Sequence, residues 1–469
     1  MKAVLINILS ISSADVGTRL IGFLAVTYLA RTLGPENMGI IAIGLAILTY
    51  ASIISTMGLP TLGVRSVSAN KISTMDVDVV KQIITARCFL SVISFLLGIF
   101  GIIFCIQDQN IRTISLFYLI SLFPSALMLD WFFQGHSKMN TLAIGRLLGM
   151  MTYILTIVVI VSDSKDIYWI PIAWSFGLLI QAMFFWNRYN NYYKPNNNNK
   201  KSSSLFEIIK QAIPFGISGF ISHSVNQFPI IYLGFVSTPE SAGIFSVAFR
   251  LVIFLLVLDR VFYTMFFPAI SKSYKNSKEK LEKQIVWTLK IVTTVSLFVA
   301  VIFFILSGNI ISIIFGFEYY DSIIIFKILL FYFILTFINS VFTFTLIGIQ
   351  KENLYTKSIL IGAVFFIITF LLPTSFSSIV MVAIALVINE GTAMIMMIFY
   401  LRKLISINFI SRIIFPLLFY IIFLLQSYFF NNYFPIHINI VIILGTLFAI
   451  AISSGINNDD IRTLKHYIK

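Results

Sequence analysis

A handful of ionisable residues stand inside long apolar runs of this chain: Asp15 and Arg19, His223, Arg250, Asp259 and Arg260, Lys327, and Glu390. A charge at the centre of a membrane-spanning helix costs on the order of 2.5–3.5 kcal/mol on insertion scales, so such a residue faces protein or water. Arginine suits paired phosphate oxygens, because its planar fork of N–H donors meets two of them at once. Arg19 lies about thirteen residues into its run, near mid-depth at ~1.5 Å per residue. Asp15 precedes it by four and shares its helix face. Two roles stay open for the pair: the carboxylate neutralises the guanidinium, or the guanidinium is a cavity cation for an anionic ligand.

Arg250 and Arg260 are about 80° apart on a helix and can border one broad face at two depths, ~15 Å apart. Asp259 falls on the side opposite Arg250 and is placed to pair with a neighbour. Lys327, five residues from the end of its run, either joins the cation set or snorkels to the interface. His223 and Glu390 lie near mid-depth, where each either titrates during transport or serves as a hydrogen-bonded interior group. Nothing points to catalysis. There is no Walker A motif, so no ATP is consumed by this chain. The histidines His136, His223, His437 and His466 are scattered without metal spacing. Paired carboxylates of the glycosidase kind are absent from the loops. No enzyme activity, metal or cofactor is expected.

The elements that must position these residues follow from composition. Of 469 residues 58% are hydrophobic and 11% charged, with 47 Phe; a soluble globule cannot cover its surface with so little charge. Repeated apolar runs predict an all-α integral membrane protein. Fourteen spans are expected, near 6–31, 38–59, 83–106, 112–133, 141–162, 167–188, 206–236, 243–270, 286–307, 323–347, 356–374, 378–400, 412–430 and 437–454; twelve would remain without the last pair. Cys88 and Cys105 share one apolar run and are expected to pack rather than to carry redox chemistry. Charged Asp15 and Arg19 argue against a cleavable signal peptide.

The basic residues set the orientation. With the N-terminus placed inside, 26 of the 33 Lys and Arg fall on the inner side and three, Arg31, Arg112 and Lys165, on the outer. That bias puts both termini in the cytoplasm. It also explains the net charge of +14 without nucleic acid, through contact with anionic membrane lipid. No loop is long enough for a catalytic domain. Asn190–Ser204 is a polar cytoplasmic linker by composition, and Ser271–Ile285 is expected as a helix on the lipid surface. Asp130 and Arg146 are expected at the inner interface. In the seventh span, Pro214, Gly216, Gly219 and Pro229 predict kinks, and Gly17 and Gly22 occupy the first; these are candidate hinges, or static bends.

Two short matches indicate duplication. Gly34-Pro35-Glu36-Asn37-Met38-Gly39-Ile40 aligns with Thr238-Pro239-Glu240-Ser241-Ala242-Gly243-Ile244, and Gly135…Lys138…Asn140…Gly149 aligns with Gly348…Lys351…Asn353…Gly362. They fall at corresponding points of a six-span unit. Six is even, so the repeats keep one orientation: two six-helix bundles side by side about an axis normal to the membrane. The expected division is residues 1–189, a linker at 190–205, a second bundle at 206–401, and two added helices with a tail at 402–469.

Tyr28-Leu29-Ala30-Arg31-Thr32-Leu33-Gly34-Pro35-Glu36-Asn37-Met38-Gly39 resembles the LAR-LGP---G signature of polysaccharide-biosynthesis flippases of the Wzx type, within the multidrug/oligosaccharidyl-lipid/polysaccharide (MOP) exporter superfamily. Gly58-Leu59-Pro60 with Val64-Arg65, and Gln134-Gly135, are similar to further points of that pattern. The resemblance implies a V-shaped pair of bundles around a central cavity in a bacterial cytoplasmic (inner) membrane. It implies outward movement of a polyprenyl-diphosphate-linked glycan by alternating access, for O-antigen, lipopolysaccharide or capsule-like polymers, beside other polysaccharide-assembly proteins. Arg19, Arg250, Arg260 and Lys327 would then line the diphosphate site. The competing functions are a cation-coupled drug exporter or a lipid-II-type flippase of the same superfamily, and, from another class, a membrane glycan polymerase.

Overall fold

The computed structural model describes residues 2–69, 77–192, 205–371, 376–405 and 409–430, with the single residues 445, 449 and 452 beyond them. Every regular element among them is helical: α1 (Lys2–Thr56), α2 (Leu59–Ala69), α3 (Val77–Cys105), α4 (Gln109–Ile120), α5 (Leu122–Ala126), α6 (Asp130–Gly135), α7 (Met139–Ile160), α8 (Trp169–Tyr192), α9 (Leu205–Val236), α10 (Pro239–Leu255), α11 (Val257–Asn276), α12 (Lys278–Ile305), α13 (Ser307–Ile314), α14 (Ser322–Gly348), α15 (Glu352–Leu371), α16 (Ser378–Arg402) and α17 (Phe409–Phe430). Nine helices among the described residues are long and apolar enough to cross a membrane. The protein is therefore the polytopic helical membrane protein its composition demands. The expected last span, 437–454, lies outside the described residues apart from 445, 449 and 452, as do positions 193–204 of the linker.

Several expected spans are not single straight rods. The first two are one hydrogen-bonded run, α1, bent where Gly34 takes φ 73° and ψ 173°. That region is open to glycine alone. Pro35 follows, where its fixed φ suits a helix beginning anew. The fourth span is broken into α4, α5 and α6. Carbonyls freed at such a break need donors in a membrane, and Arg87 of α3 supplies them. Its Nη1 donates to the Met128 carbonyl at 2.7 Å and its Nη2 to the Ser125 carbonyl at 2.5 Å, and the side chain is buried. The eighth span is interrupted at Leu256, between α10 and α11.

One expectation is overturned. Ser271–Ile285 is not a separate helix on the lipid surface. α11 runs on to Asn276, and α12 begins at Lys278 after the single residue Ser277, whose hydroxyl caps the Lys280 N–H at 3.2 Å. The lysines that suggested an amphipathic surface helix instead decorate the ends of two long helices. α9 runs from Leu205 to Val236 with both Pro214 and Pro229 inside it.

The chain forms two compact units, Met1–Arg250 with Ile314–Tyr319, and Leu251–Ile313 with Tyr320–Lys469. In the first, α1 packs against α3, α4, α7 and α9, and α7 pairs closely with α8. Lipid gives no hydrophobic drive for helix pairing, so small residues that admit close backbones do the work. A Cβ on Gly149 of α7 would lie 3.0 Å from the Gly177 carbonyl of α8, and one on Gly177 2.6 Å from the Gly149 carbonyl. The two matched segments touch: Gly39 lies against the Pro239 carbonyl and Gly243 against the Pro35 carbonyl, so each glycine admits the main chain of the other segment. In the second unit α14 is buried along most of its length and packs on α11, α12, α15 and α16.

Candidate functional site

The first unit presents cations among aromatic residues. Arg250, in the last turns of α10, is half-buried, and its guanidinium is within electrostatic reach of the phenols of Tyr118 on α4 and Tyr153 on α7. Both tyrosines are buried. Among the described residues no carboxylate lies within ion-pair distance of Arg250. The helix is long and apolar enough to cross a membrane, and this half-buried guanidinium has N–H donors that suit an anion. Arg19 lies in α1 and is exposed. Asp15 is in the same helix, but its side chain falls outside the described residues. Arg146 of α7 meets Asp130 of α6 at 3.8 Å through one nitrogen. At Gly17 and Gly22, the candidate hinges of α1, an added Cβ would lie 3.5 Å from Leu147 and 2.7 Å from Met150 of α7. In α9, Pro214 and His223 are exposed, Gly216 and Pro229 are buried, and the burial of Gly219 lies outside the described residues.

The second unit presents carboxylates among amides. Glu390 of α16 accepts from Nδ2 of Asn339 on α14 at 2.7 Å, and the same nitrogen reaches the Glu390 main-chain carbonyl at 3.0 Å. Nδ2 of Asn389 approaches the other carboxylate oxygen at 3.4 Å. Asp259 of α11 is close enough to interact with Glu390 electrostatically. The Oδ1 atoms of Asn339 and Asn389 are buried and accept no hydrogen bond among the described residues; each such orphan costs about 1–3 kcal/mol. This cluster is rich in oxygen acceptors and poor in donors. Arg260 of α11 is exposed and lies over the Tyr263 ring at 5.5 Å. Lys327 of α14 places its Nζ 4.7 Å from the centre of the Phe304 ring, a cation–π seat in place of simple snorkelling.

Sequence reasoning singled out Arg250, Asp259 and Glu390 by charge alone. It passed over Asn339, Asn389, Tyr118 and Tyr153. The asparagines carried a signal, two amides inside apolar runs, one of them beside Glu390. The tyrosines carried none, since a tyrosine in an apolar run is ordinary core.

The fold has solved counterparts. One is the lipid II flippase MurJ in an inward closed conformation, with a TM-score of 0.71 at 14% identity, covering 94% of this chain and 97% of that one. Another is a multidrug resistance MATE family transporter of the MOP superfamily in an inward-facing conformation, with a TM-score of 0.64 at 15% identity, covering 82% and 94%. These likenesses show the fold of this chain. Within it, residues 4–274 match the model of a family described as polysaccharide biosynthesis protein, and the chain belongs to that family. A curated relative, "Putative O-antigen transporter" of Shigella dysenteriae, is 23% identical over 253 residues; the match takes in 52% of this chain and spans 62% of the relative's length.

Proposed function

We propose that this protein is a flippase that carries polyprenyl-diphosphate-linked oligosaccharide across the bacterial cytoplasmic membrane for surface polysaccharide assembly, by alternating access. Family membership, the O-antigen transporter relative and the fold shared with a lipid II flippase support the reading. The observation that carries it is Arg250, a half-buried guanidinium near two buried phenols with no carboxylate in ion-pair range among the described residues. A diphosphate is the membrane-borne anion whose oxygens match that fork. Arg19, Arg260 and Lys327 are the further cations proposed to follow the diphosphate along its path. Asp259 and Glu390, with Asn339 and Asn389 beside Glu390, supply acceptors for a coupling proton or other cation.

The two halves 1–189 and 206–401 are proposed as the moving bodies, with both termini and the linker in the cytoplasm, following the distribution of basic residues. The same carboxylates would serve a cation-coupled exporter of the MATE kind, so what separates the two readings is the substrate. The test is glycan display in a strain lacking the native gene, with membrane protein measured in parallel. Arg250→Ala and Arg19→Ala should each nearly abolish display at normal abundance, and Lys at either position should restore part of it, as a point charge in place of a fork. Full display from both Ala variants at normal abundance would sink the diphosphate assignment.

A further inference from the structure

Two cavities adjoin in the first unit, among α1, α3 and α9. One, of about 370 Å³, opens where α3 ends and is lined by Gln107 and Asp108 of the loop to α4, with Ile43 and Gly234. The other, of about 280 Å³, is lined by Ile47, Ala51, Ile54, Leu97, Gly98 and Gly101. They share Cys105, Ile106 and Phe235, so they form one continuous groove. Its two ends differ. The second cavity is hydrocarbon, because its polar groups are bonded elsewhere: the Ser94 hydroxyl donates to the Ala51 carbonyl at 2.6 Å and the Tyr50 hydroxyl to the Ser224 carbonyl at 3.0 Å. The first is charged. Asp108 Oδ1 accepts from the Ile111 N–H at 2.8 Å, and Arg112, one turn further on, puts Nε (3.1 Å) and Nη2 (2.7 Å) on the Ile106 carbonyl. Asp108 Oδ2 and Arg112 Nη1 are left for a ligand.

The depth of the groove is that of one lipid leaflet. α3 is long and apolar enough to cross a membrane and ends at Cys105, so the charged end falls at head-group level. Ser94 and Cys105 are eleven residues apart, ~16 Å at 1.5 Å per residue, against ~15 Å for the hydrocarbon of one leaflet. Gly101 adds an independent observation. A Cβ there would meet nothing within 4 Å, so no neighbouring helix requires the glycine, and glycine is the poorest helix former after proline. What its missing side chain leaves is the groove itself. An empty slot between helices forfeits dispersion contacts, and an acyl chain restores them.

Charge selects the head group. The Asp108 carboxylate repels an anionic head and accepts a primary ammonium, while a guanidinium beside it meets a phosphate. A polyprenyl diphosphate brings no cation for Asp108. We propose that this groove holds a resident phosphatidylethanolamine, with its ammonium on Asp108, its phosphate on Arg112 and one acyl chain along Gly98 and Gly101. The assignment is independent of what the protein transports.

The experiment uses the full-length protein carrying Cys88→Ser, which leaves Cys105 as its one thiol. Cys105 is exposed and stands where the two cavities join. In detergent, its alkylation by N-ethylmaleimide is timed by mass spectrometry as dioleoyl phosphatidylethanolamine, phosphatidylcholine or phosphatidylglycerol is added. The ethanolamine lipid should slow alkylation about tenfold at a concentration where the other two slow it less than twofold. Asp108→Asn, whose amide oxygen still caps α4, should bring the ethanolamine lipid down to the level of the choline lipid. Gly101→Leu, which puts a side chain into the groove, should remove protection by every lipid relative to its own lipid-free rate. Asp108→Asn decides independently of any packing change at Gly101. Equal protection by the three lipids, better protection by the glycerol lipid, or no protection by any would overturn the site. An ethanolamine preference that survives either substitution would overturn it as well.

Discussion

Arg250 and Glu390 are both ionisable groups in apolar helices, and the protein treats them in opposite ways. The Glu390 carboxylate is completed from within, by the Asn339 amide at 2.7 Å and the Asn389 amide at 3.4 Å. Arg250 receives only the neighbourhood of two phenols, with no described carboxylate in ion-pair range. The first arrangement holds a negative group in place whether or not a ligand is present. The second leaves donors unspent. The acceptors around Glu390 suit a proton or cation, and the donors of Arg250 suit an anion.

Substitutions sharpen or break this contrast. The largest effect belongs to Arg250→Ala, which should lower surface glycan more than tenfold at unchanged abundance, since each charge-assisted bond to phosphate is worth on the order of 1.5–3 kcal/mol. Arg87→Ala provides the reverse pattern. Arg87 is also a buried arginine, but two of its nitrogens are already bonded to the Ser125 and Met128 carbonyls. Its loss should act through folding, lowering membrane abundance and the melting temperature in detergent, at a cost of about 1–3 kcal/mol for each carbonyl left without its donor. Display per molecule should remain normal. A variant of Arg87 with full abundance and no display would blur the distinction between spent and unspent arginines.

Glu390→Gln comes next. The amide still accepts from Asn339, so folding should persist, while the site loses its exchangeable charge. Display should fall several-fold and transport should lose its dependence on the coupling gradient, read as uptake in vesicles with and without an imposed ion gradient. Unchanged gradient dependence would return Glu390 to a purely structural role. The smallest effect is expected from Lys327→Gln, at most about twofold in display, because its ammonium is already seated over Phe304 and a cation–π contact of this kind is worth only about 0.5–2 kcal/mol.

The helices were legible because a membrane allows few alternatives: an apolar run of the right length must be helical. The bend at Gly34-Pro35 was legible for the same local reason, since those two residues restrict the backbone themselves. What escaped were features set by tertiary partners. The break around Leu127–Leu129 carries neither glycine nor proline, and its freed carbonyls are met by Arg87 reaching across from α3. Ser271–Ile285 misled because its lysines and glutamates have the composition of a surface helix, while the single cap at Ser277 decides how the chain turns. In the site, charge betrayed Arg250 and Glu390, whereas Tyr118 and Tyr153 gave no warning, since their meeting near Arg250 depends on how α4 and α7 pack.

The central claim is that Arg250 receives the diphosphate of a lipid-linked sugar and that its loss stops translocation. The most direct measurement uses proteoliposomes holding a polyprenyl-diphosphate-linked N-acetylhexosamine glycan in the inner leaflet, with outward arrival read by an impermeant sugar-oxidising enzyme. Wild-type protein should expose the glycan with time, Glu390→Gln should do so more slowly, and Arg250→Ala should match empty liposomes. Arg250→Ala translocating at the wild-type rate would contradict the account.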